Sequence, residues 1–121
     1  DGDIDIVVTN NNGPVRLLLN DAGLREASLQ ITLQGARSNR QGSGARVALM
    51  REGKPIMWRR AQTDGSYLSA SDSGVHFGLG GCPDCTDILV QWPDGSRESW
   101  RRPAETRFTV LTQGAGAKSL R

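Results

Sequence analysis

Aromatic residues are scarce in this sequence: three Trp, one Tyr and two Phe make up 5% of its 121 positions. Any core it builds is therefore mostly aliphatic. There is one histidine, His76, and there are two cysteines, Cys82 and Cys85. One imidazole and two thiols are poor material for a catalytic centre or for a zinc site, which wants four ligands. No stretch approaches the roughly 18 consecutive apolar residues that read as a membrane span, and no basic-then-apolar leader opens the chain. A net charge of +2, from 15 basic and 13 acidic residues, does not support a dominant electrostatic role on nucleic acid. A sustained helical period is missing too. The weak case over residues 22–29 is undercut by Ser28 and the alternation that follows.

What the chain does have is glycine, 15 residues of it with 5 prolines, punctuating short runs of alternating apolar character. Ile4, Ile6 and Val8 alternate up to Asn10-Asn11-Asn12-Gly13, whose residues tolerate positive φ, and Val15, Leu17 and Leu19 resume beyond it, so the first 20 residues predict a β-hairpin. Leu29, Ile31 and Leu33, interleaved with Gln30, Thr32 and Gln34, form the cleanest half-buried strand. Residues 35–44 are polar and glycine-rich and predict a surface loop. Ala45, Val47 and Leu49 lead into a hairpin turn at Glu52-Gly53-Lys54-Pro55 and a partner strand over residues 56–62. Ile88, Val90 and Trp92 share a face before Pro93-Asp94-Gly95, a turn that reverses the chain into residues 97–102, anchored by Trp100. Phe108 and Val110 mark a last strand, and residues 113–121 predict a frayed tail. The expected fold is all-β, an antiparallel β-sandwich or barrel-like domain.

The small net charge hides an asymmetry. Asp1, Asp3, Asp5 and Asp21 make the start acidic, whereas Arg37, Arg40, Arg46, Arg51, Lys54, Arg59 and Arg60 face only Glu52. The basic stretch could dock on an anionic surface, although Arg46 beside Val47 marks these arginines mainly as the wet face of strands. Calcium is a hard cation that takes six to eight oxygens, and carboxylates at every second position, as at Asp1, Asp3 and Asp5 with Gly2 between, suit it. The competing reading is a solvated turn.

Cys82 and Cys85 form a C-x-x-C in a glycine-rich loop. Thr86 follows where haem attachment needs histidine, and no βαβ pattern supports a redox motif. A loop disulfide is expected, consistent with an oxidising extracytoplasmic location. His76 could be assembled with Ser66 or Ser69 and Asp72 into a hydrolytic triad, since triads are defined by geometry. Serine and aspartate are so frequent here that a packed or hydrogen-bonded His76 is the better expectation. Gly42-Ser43-Gly44 precedes a strand, the reverse of a dinucleotide site, and residues 114–119 echo a phosphate loop without a following helix. Trp58, Trp92 and Trp100 fall on strands, where core packing is a commoner use than sugar stacking.

Two resemblances emerge from these motifs. Residues 1–10, from Asp1-Gly2-Asp3-Ile4-Asp5 onward, with Asn12-Gly13 and Val15 to Asn20, resemble the end of an FG-GAP/VCBS repeat, a blade of a β-propeller whose aspartate-rich loops bind calcium. Ser38-Asn39-Arg40, Gly42-Ser43-Gly44-Ala45-Arg46, Gly65-Ser66-Tyr67-Leu68-Ser69, His76-Phe77-Gly78-Leu79-Gly80 and Val90-Gln91-Trp92-Pro93-Asp94-Gly95 resemble the ASPIC/UnbV domain of the cartilage acidic protein-like family, which follows such propellers. The C-x-x-C is not part of that pattern. The resemblance implies that Asp1, Asp3 and Asp5 are later ligands of a calcium loop begun upstream, and that Gly44, Tyr67, His76, Phe77, Gly78, Trp92, Pro93, Asp94 and Gly95 are family motif positions. It also implies a division into residues 1–24 as the end of a propeller repeat, 25–112 as the ASPIC/UnbV-like β domain and 113–121 as a tail.

The function expected on these grounds is a non-catalytic, extracytoplasmic binding or structural module. Its export signal would lie upstream, and its partners would be its own propeller, another protein or a glycan, with no nucleic acid and no membrane span. Calcium would be bound by the intact propeller. The competing expectation is an accessory domain of an enzyme whose active site lies in that propeller.

Overall fold

A computed structural model describes residues 4–21, 27–104 and 106–119. Ten strands follow in order: β1 (Ile6–Asn10), β2 (Gly13–Leu18), β3 (Ser28–Gln34), β4 (Arg46–Arg51), β5 (Lys54–Arg60), β6 (Val75–Gly78), β7 (Asp87–Gln91), β8 (Arg97–Arg101), β9 (Phe108–Thr112) and β10 (Ala117–Lys118). A 3-10 turn, Leu79–Gly81, follows β6. Among the described residues there is no α-helix.

The strands form three sheets: β1-β2, a five-stranded sheet ordered β10-β8-β7-β4-β5, and a three-stranded sheet ordered β6-β3-β9. The sheets stay open, so the sandwich expectation holds and the barrel-like one does not. Hairpin chemistry sets most of the large sheet. Glu52 and Gly53 both take positive φ, 49° and 74°, the mirror-image turn that matches strand twist. Ile56 is left over where the β4–β5 register shifts between Leu49↔Met57 and Met50↔Pro55. Pro55, which cannot donate, is accommodated because β5 is an edge strand. Between β7 and β8, the Gly95 N–H bonds back to the Trp92 carbonyl at 2.9 Å, with Gly95 at φ 84°.

The core lies between the two larger sheets. Leu29, Ile31 and Leu33 of β3, with Phe77 and Leu111, pack against Val47 and Leu49 of β4 and Ile88 and Val90 of β7. Trp92 plugs one end and meets Trp100 edge-on with ring centroids 6.5 Å apart. The alternation expected from sequence thus buries the residues it predicted on β3, β4 and β7.

Two features depart from the sequence reading. First, β9 runs parallel to β3, pairing Gln30↔Phe108 through Gln34↔Thr112, so the sandwich is not wholly antiparallel. Leu111 is the buried residue of β9, while Phe108 and Val110 face solvent. Second, residues 113–119, read as the start of a tail, turn back and place β10 on β8, Ala117↔Ser99 and Lys118↔Glu98. The hairpin expected over the first 20 residues does form, β1 pairing with β2, and every residue of both strands is exposed.

Candidate functional site

Five of the nine family-motif positions, Gly44, Trp92, Pro93, Asp94 and Gly95, gather where the loop after β3, the β7–β8 turn and the segment after β9 meet. The hub is Gln113, 4% exposed. Its Oε1 accepts from the backbone N–H groups of Ala36, Arg37 and Ser38 at 3.0, 2.9 and 2.9 Å. Its Nε2 donates to Asp94 Oδ2 at 2.9 Å and to Ser38 Oγ at 3.2 Å. One amide side chain therefore fills the donors of a loop that has no strand partner there.

Asp94 is equally committed. Its Oδ1 accepts from the Ser96 N–H at 3.0 Å and the Ser96 hydroxyl at 2.6 Å, and Arg37 Nε lies 3.5 Å from Oδ2. The Ser96 hydroxyl and N–H, helped by the Arg37 guanidinium, hold the Asp94 carboxyl below the usual carboxylate range. Asn39 bonds Ser43 twice, Oδ1 accepting its N–H at 2.7 Å and Nδ2 donating to its carbonyl at 2.8 Å. Gly44, at φ 91°, donates its N–H to the Ala61 carbonyl at 2.8 Å. Pro93 and Gly95 shape the turn and Trp92 lies in the core.

Sequence reasoning missed two residues of this knot, Gln113 and Glu98. Glu98 is 3% exposed, and its carboxylate accepts from the N–H groups of Gly114 at 2.9 Å and Gly116 at 3.0 Å. The only signal was Gly114, whose φ of 95° marks a turn rather than a tail. An open cleft of about 680 Å³ borders the knot, with Arg37, Ser96, Arg97, Lys118 and Ser119 on its rim.

The remaining positions lie elsewhere. Phe77 is fully buried, whereas Tyr67 is 89% exposed in the long loop before β6. His76 sits on β6 opposite Gln30, and Gly78 ends that strand in open space. Of the residues weighed for a triad, Ser66 and Ser69 lie in the exposed loop, and Asp72 Oδ1 accepts the Gly74 N–H.

Cys82 and Cys85 are joined by a disulfide with Cα atoms 5.3 Å apart, and both are fully buried. Two arginines fix this loop from outside. Arg51 Nη2 reaches Asp84 at 2.9 Å and Cys82 Sγ at 3.5 Å, and Arg102 donates to the carbonyls of Cys85 and Pro83 at 2.6 and 3.2 Å. The bond closes a very short loop, so its entropic contribution is small, about 2 kcal/mol. Its sulfur atoms also serve as core.

Asp1 and Asp3 lie outside the described residues. Asp5 Oδ1 accepts the Asn20 N–H at 2.9 Å, tying the base of the hairpin together. No cluster of three or more His, Cys, Asp or Glu side chains placed to hold a metal occurs among the described residues. No helix among them is long and apolar enough to cross a membrane.

Comparison with known proteins gives one match: the family model described as ASPIC and UnbV covers residues 35–118, from the loop after β3 to the end of β10. No curated protein and no solved structure matches.

Proposed function

The chain belongs to the ASPIC and UnbV family, and we propose that it is a non-catalytic, extracytoplasmic module that rides on a calcium-binding β-propeller and makes the binding contacts of the pair. The family and the buried disulfide are consistent with an extracellular location. The observation that carries the reading is the β1–β2 hairpin. Ile4, Ile6, Val7, Val15, Leu17, Leu18 and Leu19 are each more than half exposed, and a two-stranded hairpin is at best marginally stable alone. Apolar side chains on both faces, with strand edges unpaired, suit the outer part of a larger sheet. A propeller blade completed by preceding residues supplies such a sheet. Calcium in this reading belongs to the propeller, to whose loop the described residues bring only Asp5. The motif residues Asn39 and Asp94 support a structural role for the family signature, because internal bonds use their polar atoms.

Hydrogen exchange on the protein with the residues that precede Asp1 included tests this. The β1–β2 amides should be protected there, and calcium chelation should remove the protection. Fast exchange of the hairpin with and without calcium would overturn the proposal.

A further inference from the structure

The five-stranded sheet turns one face to the core and the other away from it. Register decides which side chains share the outer face. Arg60 lies opposite Arg46, Arg46 opposite Gln91, and Gln91 opposite Arg97, forming one row across β5, β4, β7 and β8. Val47, next to Arg46, is fully buried, so alternation aims the row outward. Arg46, Arg60 and Arg97 are exposed and Gln91 is half-buried. With strands about 4.8 Å apart, the row is roughly 14 Å long.

Like charges directly opposite across an antiparallel pair cost stability, and Arg46 and Arg60 are such a pair. Neither ion pair found among the described residues, Arg37–Asp94 or Arg51–Asp84, involves the row. The Arg46 guanidinium lies 4.8 Å from the centroid of the Trp58 ring, which steadies the cation while leaving its N–H fork available. Beside it runs a second, uncharged row, Trp58, Ala48, Leu89, Ser99 and Ala117. Asp87, the acid on this face, sits opposite Arg101. At its Arg97 end the row opens into the cleft rimmed by Arg37, Ser96 and Lys118. The acid there, Glu98, is turned onto Gly114 and Gly116.

We propose that this face binds an acidic polysaccharide, whose carboxylate or sulfate groups pair with Arg60, Arg46 and Arg97 in turn while its hydroxyls meet Gln91 and Ser96. Guanidinium forks match both oxyanions. The row is one residue wide on a sheet face and offers no helix or protruding ribbon to enter a nucleic-acid groove. The proposal deepens the binding reading and rests on it for the extracytoplasmic setting.

The test is binding of the 121-residue chain to heparin, polygalacturonate, neutral dextran and a single-stranded oligonucleotide across a salt series. The chain should bind heparin, polygalacturonate or both, with affinity falling as salt rises, and should ignore dextran. Which polymer binds identifies sulfate or carboxylate as the group recognised. The triple variant Arg46→Gln, Arg60→Gln, Arg97→Gln should bind roughly tenfold more weakly, whereas the charge-matched Arg16→Gln, Arg40→Gln, Lys54→Gln should stay within about twofold of the unaltered chain. Amide and indole chemical shifts of the unaltered chain give a second readout, moving at Arg46, Trp58, Gln91 and Arg97. Equal losses in both variants, shifts confined to other strands, no binding at low salt, or equal affinity for the oligonucleotide would each overturn the proposal. None of these outcomes bears on the hairpin's protection by a propeller, so the two readings fail separately.

Discussion

Along β1–β2, Ile6, Val7, Val8, Val15, Leu17 and Leu18 stand between 37% and 64% exposed. Residues 113–119 contain no large apolar side chain, yet they hold Gln113 at 4% exposure and return a strand to the main sheet. Apolar character makes burial favourable only when a surface is present to receive it. A polar segment is fixed just as firmly when each of its donors meets an acceptor, because an unsatisfied buried amide costs more than a satisfied one gains. The N-terminal hairpin has the first ingredient without the partner. The C-terminal segment has the partner without the hydrophobicity.

The sharpest way to break this contrast is Gln113→Ala. It leaves the N–H groups of Ala36, Arg37 and Ser38 and the Asp94 carboxylate short of a partner, and should cost about 3 kcal/mol in chemical denaturation. A loss below about 1 kcal/mol would mean that the C-terminal segment is not held by its hydrogen bonds. Next comes Gly116→Ala. A Cβ there would meet the Trp100 ring at 2.6 to 2.9 Å, so about 2 kcal/mol of overpacking is expected, visible in the near-ultraviolet circular dichroism of the Trp pair.

Asp94 sharpens the comparison through pH. Its carboxyl is held below the ordinary value, so its contribution is present above the unfolded pKa and is lost as pH falls through the lower folded one. The stability gap between the unaltered protein and Asp94→Asn should therefore be constant near neutrality and close at acid pH. A gap that stays constant into strong acid would contradict the network. The smallest effect belongs to the hairpin. Leu17→Ser should change the stability of the two-sheet domain by no more than about 0.5 kcal/mol, measured as the melting of Trp92 and Trp100. A larger loss would reveal packing between the hairpin and the domain.

The same contrast explains what could be seen in the sequence. Strands β3, β4 and β7 were legible because Leu29-Ile31-Leu33, Val47-Leu49 and Ile88-Val90 alternate against one continuous core, and the turns at Gly53 and Gly95 were legible because their backbone demands are local. The parallel pairing of β9 with β3 was not, since nothing near Phe108 encodes a partner so far back in the chain. The facing of β9 was hidden as well: Phe108 and Val110 carry the stronger apolar signal, but Leu111 is the side chain that meets the core. Within the candidate site, the disulfide and the Asp94 turn could be read from Cys82, Cys85 and Pro93-Asp94-Gly95. Gln113 and Glu98 could not, because a buried polar residue has no local signature and its role exists only once its acceptors and donors are assembled. The arginine row was invisible for a related reason. Arg46 and Arg60 read as a wet strand face, and only register adds Gln91 and Arg97.

The parallel β3–β9 pair also has a mechanical consequence. The chain enters the domain at the start of β3 and leaves toward β10 from the end of β9, so tension between those points pulls the two strands along their length in opposite directions. The five residue pairs from Gln30↔Phe108 to Gln34↔Thr112 then bear the load together, in shear. The pairing of β10 with β8 joins only two residues of each strand and is the weaker of the two attachments. Force applied at the two ends of the β3–β9 pair thus meets its pairings all at once rather than one after another.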